Sequence, residues 1–138
     1  MGKFLGIDYG KKRIGLSITD DNKIISSPLD TVSTVDIFNF LDNFLQKEDI
    51  ELIVIGMSKR LDNTDNLISK EIHIFSKKIT KKFQIPIRFV DERYTSKIAS
   101  TIIVNSHLKK MKRRDKTIID KVSASLILET YLSLIKNN

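Results

Sequence analysis

The first twenty-eight residues restrict the fold more than any other stretch of the chain. Phe4-Leu5-Gly6-Ile7 is an apolar run closed by Asp8, so residues 3–8 read as a buried strand. Ile14, Leu16 and Ile18 then alternate with Gly15, Ser17 and Thr19, the period of a half-buried strand. Gly10-Lys11-Lys12 is short enough to be a tight connection. Gly10 would permit a positive φ there, and Gly15 would leave room for backbone or ligand to approach. Asp20-Asp21-Asn22 reads as a turn, and Lys23–Pro28 is predicted to return as a third strand. An antiparallel meander of this kind is a start that an all-helical or purely parallel domain cannot share.

The rest of the chain changes period. Ser33 or Thr34 is a candidate N-cap for a helix carrying Ile37, Phe38, Leu41, Phe44 and Leu45, which ends near 47–49. Leu52-Ile53-Val54-Ile55 is a short buried strand stopped by Gly56, and residues 57–65 are a polar loop. Ile68, Ile72, Phe75, Ile79 and Phe83 mark a long amphipathic helix, and residues 85–90 form another strand. Thr95 or Ser96 would cap a helix at 97–108. Asp120 would open a last helix on which Ala124, Leu128, Tyr131 and Ile135 share a face. The expected fold is therefore α/β: a mixed five-stranded sheet, with three strands in a meander and two in α/β alternation, flanked by helices. The 138 residues suit one domain spanning 1–138.

Composition removes several function classes. There is no cysteine, which excludes disulfides, thiolate metal sites and cysteine nucleophiles. His73 and His107 lack acidic or histidine neighbours at ligand spacing and read as surface or boundary residues. No stretch approaches the roughly 20 apolar residues needed to span a bilayer. The chain also enters its first strand without a leader-like segment, so it reads as cytoplasmic with no membrane partner. A net charge of +7 points toward nucleic acid or acidic surfaces.

Against that positive balance, Asp8, Glu92 and Asp120 each fall at the end of an apolar element. If they converge, their repulsion calls for a divalent cation, and carboxylate oxygens favour Mg2+ or Mn2+. That is the chemistry of two-metal phosphodiester hydrolysis. Each acid also has a plainer explanation. Asp8 could bond its own hairpin, Glu92 could pair with Arg93, and Asp120 could be a helix N-terminal acid favoured by the macrodipole. Strand alternation sends Asp91 and Glu92 to opposite sides, so only one of them can readily join Asp8. The segment 109–116 holds six basic residues in eight and no aromatic one. It is either a solvated loop or a phosphate-contacting run rather than a base-stacking surface.

Gly6-Ile7-Asp8-Tyr9-Gly10-Lys11-Lys12-Arg13-Ile14-Gly15-Leu16-Ser17, Asp91-Glu92-Arg93-Tyr94-Thr95-Ser96, and the stretch from Asp120 to Leu128 with Tyr131-Leu132 together resemble the three motifs of the YqgF-type nucleases, also described as Holliday-junction-resolvase-like proteins and pre-16S rRNA nucleases. The resemblance covers nearly the whole chain. It implies a ribonuclease-H-like fold, with Asp8, Glu92 and Asp120 as metal-binding carboxylates. Asp8 would bridge two ions, and Glu92 and Asp120 would each complete one site. Lys11, Lys12, Arg13, Arg93, Lys112, Arg113 and Arg114 would hold the nucleic-acid backbone. Fold analogy adds cleavage to a 5′-phosphate and a 3′-hydroxyl. The implied substrate is precursor 16S rRNA, with pre-ribosomal particles as partners, or branched DNA such as a four-way junction. The chain would act as a monomer or homodimer. Ser58 and Asn63 stand where the family has Pro and Gly, and Ser123 where it favours Ala; these departures bear on loop shape and substrate fit more than on metal chemistry. Two other classes compete. A non-catalytic nucleic-acid-binding module would be expected to have lost an acid, and none is missing. A sugar-kinase or actin-like ATPase would need a second lobe that 138 residues do not supply.

Overall fold

The computed structural model describes residues 2–57, 67–91 and 116–136. Strands β1 (Lys3–Tyr9), β2 (Arg13–Thr19) and β3 (Ser26–Ser33) form the expected meander. A 3-10 turn (Thr34–Asp36), helix α1 (Ile37–Lys47), strand β4 (Ile50–Met57), helix α2 (Leu67–Phe83), strand β5 (Ile87–Asp91) and helix α3 (Lys116–Lys136) follow. The sheet runs in the order β3-β2-β1-β4-β5. β1 pairs antiparallel with β2 and parallel with β4, and β4 pairs parallel with β5. β1 is therefore central, and its C-terminal end shares an edge of the sheet with those of β4 and β5. The helix expected at 97–108 lies outside the described residues.

Alternation along the strands splits the core in two. Leu5 and Ile7, Ile14 and Leu16, and Ile53 and Ile55 pack against Ile37 and Leu41 of α1 and Ile72, Phe75 and Ile79 of α2. Phe4, Leu52, Val54 and Val90 face the other way, onto Ile127, Leu128 and Leu132 of α3. Burying side chains of this size stabilises the fold by about 1.5–3 kcal/mol each.

Several expectations need correction. The third strand is not Lys23–Pro28. Asp20 Oδ1 accepts hydrogen bonds from the backbone N–H groups of Ile24 (2.8 Å) and Ile25 (2.9 Å), and Lys23 takes a φ of 57°, so the turn lasts through Ile25. β3 then continues past Pro28, which is tolerated on this edge strand beside a bulge, where the register shifts between Leu16 and Ser17. β2 is buried on both faces rather than half-buried, because Gly15, Ser17 and Thr19 lie under α3. Ser33 makes no side-chain cap to the helical turn that it precedes. β4 runs through Gly56, which pairs with Val90 inside the ladder. Residues 85 and 86 precede β5 rather than open it: α2 ends at Phe83, and Gln84 closes it at φ 59° by donating its N–H to Thr80 O at 2.9 Å. On α3, Ile135 is 43% exposed and does not share the buried face of Ala124 and Leu128.

Candidate metal centre and nucleic-acid face

Asp8 is the penultimate residue of β1, two places beyond Gly6 and four beyond Phe4, on the face that meets α3. Its antiparallel partner is Gly15 of β2. On its other side Ile7 pairs with Ile55, one residue short of Gly56. Glycines thus flank Asp8 on both neighbouring strands.

The two β1–β2 glycines decide where α3 sits. A methyl group built on Gly15 would collide with the carbonyl of Asp120 and stand 3.0 Å from the backbone N of Lys121. One built on Gly6 would lie 2.9 Å from Ala124 O and collide with the Ser17 hydroxyl. The helix backbone therefore rests directly on the sheet. Ser17 Oγ donates to Ala124 O at 2.7 Å, and Ser26 Oγ donates to Ser125 O at 2.8 Å. These buried hydroxyl bonds hold the helix against sliding, since each would leave an unsatisfied polar group if broken. Asp120 is carried on the same face of the sheet as Asp8, at the same end.

Asp120 does not open the helix. α3 begins at Lys116, so Asp120 lies a turn inside it, and a macrodipole role at the first residue does not describe it. Its partner is Arg13, whose Nε donates to Asp120 Oδ2 at 2.8 Å with both side chains partly buried. Arg13, expected among the phosphate contacts, thus engages one oxygen of Asp120. Lys11 and Lys12 are exposed on the hairpin connection. That connection is fastened by Thr34, whose N–H donates to Lys12 O (3.0 Å) and whose hydroxyl donates to Gly10 O (2.7 Å). Gly10 does not use a positive φ, and no described glycine does. What its lack of a side chain supplies is clearance from the Arg13 carbonyl.

Asp91 ends β5 one residue after Val90, which packs under α3, so Asp91 faces the α2 side with Ile87. Tyr9 likewise alternates away from Asp8; burial first and Glu71 second raise the pKa of its hydroxyl. His73 is exposed on α2, as expected of a surface residue. Glu92, Arg93, His107, Lys112, Arg113, Arg114, Ser58 and Asn63 lie outside the described residues. Among the described residues no three carboxylates or histidines gather into a metal-sized group. Ser17 and Ser26 do not stand out in the sequence as positioning residues, and Thr34 reads there only as a helix cap. Their one signal is a small polar residue on a strand face, a pattern that alternation alone assigns to solvent.

Residues 2–134 match the family described as "RuvX: Holliday junction resolvase". The chain belongs to the RuvX family. One similar protein, from Christiangramia forsetii, is 42% identical over 133 residues, which is 96% of this chain and 98% of that one. Another, from Porphyromonas gingivalis, is 43% identical over 133 residues, 96% of each chain. Both bear the name "Putative pre-16S rRNA nuclease". Two solved structures share this chain's fold. T. thermophilus RuvC in complex with a Holliday junction substrate superposes with a TM-score of 0.57 at 14% identity, covering 97% of this chain and 96% of that one. Fowlpox virus resolvase with Holliday junction DNA gives 0.62 at 8% identity, covering 96% and 98%. The fold is the ribonuclease-H-like one of these resolvases. No described helix is long and apolar enough to cross a membrane.

Proposed function

We propose that this RuvX-family chain is a metal-dependent endonuclease that hydrolyses phosphodiester bonds and processes the 5′ end of precursor 16S ribosomal RNA, in the cytoplasm and on pre-ribosomal particles. The observation that supports the reading is that Asp8 and Asp120 lie on one face at one end of the sheet, since Gly15, the partner of Asp8, touches the α3 backbone at Asp120. The donor set fits a hard divalent ion. It consists of carboxylate oxygens, and Arg13 engages only Oδ2 of Asp120. We assign the site to Asp8, Asp120 and Glu92; of the adjacent acids 91 and 92, Asp91 is directed to the wrong face. When bound there, Mg2+ or Mn2+ would supply Lewis-acid stabilisation of the phosphoryl oxygens and a more acidic water.

The chain's own residues bind and orient. Lys11 and Lys12, exposed on a hairpin fastened by Thr34, would contact backbone phosphates next to Asp8. Arg93, Lys112, Arg113 and Arg114 are assigned the same task on sequence grounds. Arg13 fixes the orientation of Asp120, as partners of metal-ligating groups commonly do.

A second reading, resolution of four-way DNA junctions, is favoured by the description of the matching family. The deciding assay offers purified protein precursor 16S rRNA, single-stranded RNA and a four-way DNA junction, with Mg2+, Mn2+ or a chelator. Metal-dependent cleavage of the precursor, leaving a 5′-phosphate, is expected. Asp8→Asn should abolish cleavage and leave binding and folding intact, because the amide keeps the shape and removes the charge that holds the ion. Cleavage of the junction alone would replace the RNA reading with the DNA one. Wild-type turnover by Asp8→Asn would remove Asp8 from the catalytic site.

A further inference from the structure

We propose that the groove between α2 and the edge strand β5 is a second nucleic-acid surface, which takes an unpaired RNA flank of the substrate and leads it toward the carboxylate end of the sheet. This inference rests on the nuclease reading and adds a binding site to it. The groove has a volume of about 440 Å³ and presents Lys77 and Lys81 from α2, and Arg88 and Phe89 from β5, with the Ser76 and Thr80 positions between them. Among the described residues no acid lines it. On the other side of the same helix the cations have acidic company: Lys82 pairs with Asp42 at 3.0 Å, and Lys78 shares a cleft with Glu71. Lys77, Lys81 and Arg88 form no ion pair among the described residues. A surface that carries three cations and, among the described residues, no counter-charge fits a polyanion.

Phe89 makes the preferred occupant a single strand. It is 44% exposed, although it belongs to a strand of the central sheet, and the His73 ring lies 5.8 Å from it at 59°. An unpaired base can stack on such a ring, whereas a base inside a duplex cannot reach it. The direction also suits the site. α2 runs back along β5, so the order Lys81, Lys77, Phe89 climbs toward the C-terminal end of β5, where the proposed metal ligands gather. Arg88 alternates with Phe89 on the last strand of the sheet, and its Nη1 turns back to the Ile87 carbonyl at 3.0 Å, so positive charge continues around the rim. Asp91, two residues beyond Phe89, marks the end of the track.

The test is fluorescence anisotropy with a labelled oligouridine of about 12 nucleotides and with an RNA duplex, both in chelator so that nothing is cut. Lys77→Ala/Lys81→Ala should weaken oligouridine binding and flatten its log–log salt dependence by about 1.4, roughly 0.7 for each phosphate no longer neutralised. Phe89→Leu should weaken oligouridine binding about tenfold and leave duplex binding unchanged. All these side chains are at the surface, and thermal melting checks that the variants fold. Unchanged affinity and salt slope in the double variant would overturn the proposal. So would a wild-type dimer that the same substitutions convert to monomer, since the groove would then be an interface between copies. Because binding is read without metal, a wild type that cuts no substrate would refute the nuclease reading and leave this measurement valid.

Discussion

Replacing Gly15 by alanine puts a methyl group where the carbonyl of Asp120 now lies, with the Lys121 nitrogen 3.0 Å away. Neither neighbour is a side chain that could rotate aside, so α3 must lift from β2. Overpacking of a well-filled site costs about 1–3 kcal/mol, and contact with rigid backbone places this case near 3 kcal/mol. For a chain of 138 residues that corresponds to a fall in Tm of about 10 °C. The displacement, on the order of an ångström, acts on the helix that carries Asp120 and pulls it from both Arg13 and Asp8. A misplacement of that size lowers kcat by about a hundredfold. The control is Leu41→Ala. Leu41, on α1, is fully buried against the opposite face of the sheet, and its truncation costs about 2–5 kcal/mol without touching α3. Melting curves, together with single-turnover cleavage taken well below either melting point, should show two destabilised proteins of which only Gly15→Ala is catalytically impaired. Equal loss of activity in the two, or a Gly15→Ala protein as stable and active as wild type, would refute the placement of Asp120 by backbone contact.

Arg13→Ala removes the group that orients Asp120 Oδ2, so the Mg2+ concentration for half-maximal cleavage should rise about 10- to 100-fold, read from a metal titration. The backbone N–H groups of Ile25 and Ile24 hold the Asp20 carboxyl below its ordinary pKa. Its stabilisation is therefore present above the unfolded value of about 3.9 and lost as pH falls through the lower folded value, so Asp20→Asn should flatten the acid limb of a Tm–pH profile. Changing Lys112, Arg113 and Arg114 together to Ala should weaken binding to all substrates and reduce the log–log salt slope by about two to three units; an unchanged slope would make the run a solvated loop.

The order of elements along the chain was legible because the decisive signals are local. The apolar run at 4–7, the alternation at 14–18 and the two later β segments fix a meander followed by α/β alternation. What stayed hidden depends on partners distant in sequence. β3 starts late because the side chain of Asp20 captures two amides across the turn, which no hydrophobic pattern reports. Ser17 and Thr19 look like a wet face until α3, about a hundred residues later, covers them. The bounds of α3 are obscure for a related reason. Ile118, Ile119, Val122, Leu126, Ile127, Leu134 and Ile135 distribute apolar residues around the whole helix, so spacing alone selects no face.

The choice of face falls instead to the smallest residues, and this ties packing to chemistry. On the α1–α2 side, long side chains such as Leu5, Ile55 and Phe75 separate the layers. On the α3 side, Gly6, Gly15, Ser17, Ala124 and Ser125 let backbone meet sheet, and hydroxyl-to-carbonyl bonds replace part of the apolar packing. A short aspartate reaches little beyond its own Cβ. Two of them, one on a strand and one on a helix, can serve a common ion only if the elements approach this closely. Bulky packing on that face would bury more apolar area and still separate the acids. The glycine and serine positions are therefore read best as the part of the core that the proposed metal chemistry requires. Asp8 and Asp120 could be picked out as isolated letters in the sequence, whereas the residues that carry them to one face and one end of the sheet could be recognised only from the packing itself.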